Sequence, residues 1–102
     1  MPRALVLSVP ARIDLDRIYD RVSRENAAAA DRLIDDLAES FRSLTEHPKL
    51  GRVFRKRARR PLRLWPQNDY LIFYFETPPL IEIARVIHGK QNVPDILDDL
   101  LR

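Results

Sequence analysis

The chain has 102 residues, 45% apolar and 32% charged, a balance that fits one folded domain with one core and excludes disordered, fibrous and multi-domain readings. Cysteine is absent, which excludes disulfide frameworks, thiol nucleophiles, iron–sulfur clusters and cysteine-based zinc sites, and agrees with a reducing compartment. The net charge of +3 is unevenly spread: residues 52 to 63 hold Arg52, Arg55, Lys56, Arg57, Arg59, Arg60 and Arg63 with no acid among them, so the remainder is acidic.

Met1 to Pro10 contains an apolar run too short for a signal peptide or a membrane span, so a cytoplasmic protein with no membrane partner is expected. Residues 4 to 9 favour a strand, and Pro10 suits the first turn of a helix. From Ala11, apolar side chains recur at Leu15, Ile18, Tyr19 and Val22 with the spacing of one helix face, while Asp14, Asp16, Arg17, Asp20 and Arg21 line the other. The pattern breaks at Ser23 to Asn26, where Asn26 is a good N-cap for a second helix starting in Ala27 to Ala30. That helix carries Leu33, Ile34, Leu37, Ala38, Phe41 and Leu44 on one face and ends before His47-Pro48. So short a connection predicts an antiparallel helical hairpin.

Lys49 to Arg60 shows little periodicity and reads as a loop or an irregular edge. Three runs of β character follow, at Leu62–Trp65, Tyr70–Phe75 and Leu80–His88, separated by the turn-forming Pro66-Gln67-Asn68-Asp69 and Thr77-Pro78-Pro79. Pro94 to Leu101 predicts a short terminal helix turning Ile96, Leu97, Leu100 and Leu101 toward the body. The expected fold is therefore one α+β domain over residues 1 to 102, ordered β-α-α-β-β-β-α. Its helical hairpin packs on one face of a four-stranded antiparallel sheet, and the opposite face or one edge is left for a partner.

Four strings in this order, Ala11 to Tyr19, Asn26 with the alanines after it, Leu44 to Arg52 and Ala84 to Gln91, resemble the ParE/RelE superfamily of bacterial type II toxins. The long hairpin and the Arg85-Val86-Ile87-His88-Gly89 strand end are more similar to the ParE branch. The resemblance implies a toxin neutralised by a co-encoded antitoxin, inhibiting DNA gyrase and hence replication when free. It also implies a heterotetramer of two toxins with two antitoxins, meeting DNA only through the antitoxin. Members of the RelE branch instead cleave mRNA on the ribosome.

A segment with seven like charges suits an anionic partner, and Arg52, Arg55, Lys56, Arg57, Arg59, Arg60, Arg63, Arg85 and Lys90 form the candidate patch for target or antitoxin. For a nuclease, Lys56, Arg57, Arg63 and Arg85 are candidates to neutralise the charge on a reacting phosphate, with His88 as general acid or base. The alternative for His88 is a strand-end residue bonded locally. Residues 89 to 102 contain no Tyr or His and carry Asp95, Asp98 and Asp99, acids that repel a phosphate. A non-enzymatic inhibitor is therefore the leading reading, with a ribosome-dependent endoribonuclease using His88, Arg85 and Arg63 as the alternative. Gly51 and Gly89 are too far apart for a phosphate loop, His47 and His88 lack metal-ligand spacing, and neither cofactor nor metal is expected. Trp65 either stacks on a nucleic-acid base or packs at an edge.

Overall fold

Strand β1 (Ala4–Leu7) runs into helix α1 (Val9–Glu25) through Ser8. The Ser8 hydroxyl accepts the N–H of Ala11 at 3.1 Å and donates to the Ala84 carbonyl at 2.8 Å, so one side chain caps the helix and ties it to the sheet. These features belong to a computed structural model that describes residues 3–55 and 60–98. Lys56, Arg57 and Arg59 of the basic segment, and Leu100 and Leu101 of the expected terminal helix, lie outside the described residues.

Asn26 is the whole connection between α1 and α2 (Ala27–Glu46). Its backbone N–H closes the last turn on the Val22 carbonyl while its side chain accepts from Ala29 at 3.0 Å, which satisfies an acceptor at the end of α1 and a donor at the start of α2. The hairpin is closed across its outer side by the Tyr19 hydroxyl, which donates to Asp31 at 3.1 Å. Tyr19 is thus a rim residue, and Ala38 faces solvent although it falls within the apolar run of α2.

Among the described residues the sheet has five strands, in the order β1-β5-β4-β3-β2, formed by β1 with β2 (Arg52–Arg55), β3 (Leu62–Gln67), β4 (Tyr70–Thr77) and β5 (Leu80–His88), and α3 (Val93–Asp98) follows. Two expectations are corrected here. The extra strand is β2, inside the segment read as aperiodic. Arg52 and Arg55 obscure the β-formers Val53 and Phe54 between them, and a register shift between Val53 and Arg55 removes the alternation; charges and bulges are common on edge strands. The sheet is also mixed and not antiparallel, because β1 pairs parallel with β5, Ala4 against Leu80 through Leu7 against Ile83. Parallel pairing needs a long crossover, which the helical hairpin and the meander supply, and a four-residue strand has no local signal of its direction.

Hairpin β3–β4 turns at Asn68-Asp69, where Asn68 has φ 54°, a left-handed conformation that asparagine tolerates. The apolar interior lies on both faces of the sheet. Under the helices Ile72, Tyr74, Ile81, Ile83 and Val86 meet Ala11, Ile18, Leu37, Phe41 and Leu44. On the other face Leu62, Leu64, Phe73, Phe75, Ala84 and Ile87 surround Leu97 of α3, with Phe54 and Ile96 packed against them. Full burial of such a side chain contributes about 2 kcal/mol. The face opposite the helices, expected to be open as an alternative to an edge, therefore holds a second apolar cluster, and a single core is replaced by two. The outermost strands, β1 and β2, keep a free side among the described residues.

Candidate functional site

The candidate basic patch divides when its residues are placed on the sheet. Arg52 and Arg55 lie on the edge strand β2, exposed, with their guanidinium groups 5.6 and 4.7 Å from the ring centre of Phe54. Arg60 sits 4.1 Å over the Phe75 ring and pairs with Glu82. Cations on aromatic faces keep their charge while covering apolar surface, so this edge is both basic and laid over the second apolar cluster.

Arg63 belongs to a different environment. Its side chain is 12% exposed, donates to the Gly51 carbonyl at 2.7 Å and lies 3.4 Å from Glu76, which also attracts Arg3 and Lys49 at 3.7 and 3.9 Å. Next to it, the buried Tyr74 hydroxyl donates to the Pro48 carbonyl at 2.8 Å and accepts the Gly51 N–H at 2.9 Å. Burial raises the Tyr74 pKa above its ordinary value, partly offset by the Gly51 hydrogen bond and by Arg63. A side chain at residue 51 would begin 2.8 Å from the Tyr74 ring and hydroxyl and from the Leu64 carbonyl, so only glycine fits. This network clamps the chain between α2 and β2.

Arg85 lies on the helical face. A register shift in the β4–β5 ladder places its guanidinium against Asp14 of α1, with Nε and Nη2 donating to the carboxylate at 2.7 and 2.8 Å, while the Val86 N–H donates to the same carboxylate at 2.9 Å. The sequence pattern assigns Asp14 to the outer face of α1, whereas it is 7% exposed and sits on the buried stripe with Ala11 and Ile18. The signal was present: Asp14 falls three residues after Ala11 and four before Ile18, and an acid at such a position requires a cationic partner.

His88, at the end of β5, accepts the Lys90 N–H on Nδ1 at 3.1 Å, and its ring stands edge-on to Tyr70 at 5.2 Å. With Nδ1 an acceptor, the neutral ring carries its hydrogen on Nε2. Lys90 is exposed. Arg85 and His88 line one cleft of about 220 Å³ together with Arg17, Arg21 and Tyr70. Arg63 is not part of it, being two strands across the sheet, opposite Tyr74 and Ile83. The trio considered for RNA cleavage therefore does not converge in this structure. Trp65 packs against the cluster under the helices, and no helix among the described residues is long and apolar enough to cross a membrane.

A helical hairpin on one face of a mixed sheet, with a basic edge and a C-terminal helix beyond the meander, defines an α+β toxin fold of the ParE/RelE type. The model of the ParE toxin of type II toxin–antitoxin systems, parDE, matches residues 5–93, and the chain belongs to that family: it is a toxin of a type II toxin–antitoxin system. Among solved structures it is similar to a chain of the chromosomal ParDE system from P. aeruginosa, with a TM-score of 0.69 and 20% identity over 84% of this chain and 95% of that one. It is also similar to a chain of the RelBE2 toxin–antitoxin complex from Mycobacterium tuberculosis, with a TM-score of 0.56 and 22% identity over 86% of this chain and 99% of that one. Comparison with curated proteins gave no match.

Proposed function

We propose that this toxin is held inactive by a cognate antitoxin and, once free, inhibits DNA gyrase and so replication, without cleaving RNA. The observation that carries the reading is the β2 edge. It joins an unpaired strand side, able to accept an added strand, to the exposed cations Arg52 and Arg55 over Phe54, a combination suited to an acidic, partly disordered polypeptide. The solved relatives are toxin–antitoxin systems, which supports an antitoxin as one such partner; a two-plus-two heterotetramer is the assembly that the family resemblance implies. DNA is then met only through the antitoxin.

Among the described residues Arg63 stands two strands away from the cleft that Arg85 and His88 share, so the trio named for RNA cleavage lends that alternative no support. The test titrates purified toxin, freed of antitoxin, into a gyrase supercoiling assay beside a ribosome-programmed mRNA cleavage assay. Loss of supercoiling with intact RNA is the expected result. Cut RNA with normal supercoiling would transfer the assignment to the endoribonuclease reading and to His88 and Arg85.

A further inference from the structure

The cleft between α1 and the end of β5 is chemically one-sided. The one acid that lines it among the described residues, Asp14, accepts three hydrogen bonds, from Arg85 twice and from the Val86 N–H, so its charge is already matched. Around it stand groups with hydrogens left to donate. Arg17 has no hydrogen bond or ion pair among the described residues. Arg21 donates to the Tyr70 hydroxyl and lies 6.0 Å from that ring, which leaves the Tyr70 O–H available. His88 carries its hydrogen on Nε2 because Nδ1 is an acceptor. Gln91 accepts the His88 N–H through its oxygen at 2.8 Å and keeps its amide N–H groups. A pocket whose acceptors are satisfied and whose remaining polar groups all donate selects an anion.

We infer that this cleft is a carboxylate-binding site, taking the side chain of a glutamate or aspartate from a polypeptide partner between Arg17 and Arg21. Two guanidinium groups offer the forked geometry that a carboxylate matches, and Ile18 and Val86 supply apolar walls for its methylene stem. A nucleic acid fits less well. Asp16 and Asp20 are exposed on α1 beside Arg17 and Arg21, and Asp69 is exposed at the turn before Tyr70, so a run of phosphates long enough for useful affinity would meet carboxylates on either side. The site is separate from the β2 edge, and its existence does not depend on gyrase being the target.

The test follows the full-length toxin by NMR as acetyl-Ala-Glu-Glu-Ala-amide is added, reading the His88 ring and the Arg17 and Arg21 Nε–H signals. Saturable shifts at these groups are expected, absent with the Gln-Gln peptide and weakened about tenfold in the Arg17→Gln/Arg21→Gln variant. Both arginines are exposed on α1, so the variant's backbone spectrum checks that the fold is unchanged. Arg12→Gln, on the same helix but outside the cleft, is expected to leave the affinity unchanged. Shifts confined to Arg52 and Arg55, or equal weakening by Arg12→Gln, would overturn the site. Tighter binding of a single-stranded oligonucleotide at the same signals would overturn the carboxylate assignment in favour of phosphate.

Discussion

The β2–β3 edge and the α1–β5 cleft handle positive charge in opposite ways. The edge is where the sequence concentrates its arginines, yet Arg63 is drawn inward by Glu76 and the Gly51 carbonyl, and Arg60 is paired with Glu82 over Phe75. The cleft is built from cations scattered over α1 and β5, and only one of them, Arg85, is matched by the acid within it. A dense run of charge in sequence thus becomes partly structural, while isolated charges of mixed surroundings become a focused positive site. What decides the outcome is which carboxylates and rings the fold brings alongside.

The sharpest way to break this comparison is at the acid beneath the cleft. Asp14→Ala removes the carboxylate that holds the Arg85 guanidinium, 21% exposed, and that accepts the Val86 N–H. Denaturant unfolding is expected to show a loss of about 3 kcal/mol, and an unchanged midpoint would mean that the pair is dispensable. At the other region, Gly51→Ala forces a methyl group against the Tyr74 ring and the Leu64 backbone, with an expected cost of about 2 kcal/mol in the same measurement.

Tyr74→Phe removes the hydroxyl that bridges Pro48 and Gly51, with an expected cost of about 1 kcal/mol. It also has a pH signature. The folded-state pKa of Tyr74 is raised above 10.0, so the contribution is fully present below that value and is lost as pH rises through it toward the folded-state pKa. Wild-type stability should fall more steeply than that of Tyr74→Phe above about pH 10, and parallel curves would remove Tyr74 from the account. The smallest effect is expected from Arg52→Gln with Arg55→Gln. Exposed cations on an edge contribute under about 0.5 kcal/mol to stability, so the midpoint should hardly move while antitoxin binding weakens and loses part of its salt dependence.

Much of the architecture is legible along the chain because it rests on local rules. Asn26 marks both helix ends, Pro48 closes α2, and Asn68-Asp69 and Pro78-Pro79 turn the meander, each through the conformations open to that residue type. The candidate site is less legible. Strand β2 is hidden because its β-forming side chains are only two and its register slips, and Asp14 reads as a surface acid until Arg85 is seen beside it. Residues so far apart in sequence are joined only when the helical hairpin is laid across β5.

The sequence by itself determined the number and order of the helices, the three-strand meander and the presence of a basic segment, because periodicity, caps and turn residues act over a few positions. Only the tertiary structure decided that β1 runs parallel to β5, that the arginine-rich edge is a strand over a second apolar cluster, and that Arg63 and Arg85 meet different acids two strands apart. Strand direction and charge pairing depend on contacts between distant segments, and such contacts exist only after the backbone hydrogen bonds and buried surfaces have chosen one packing.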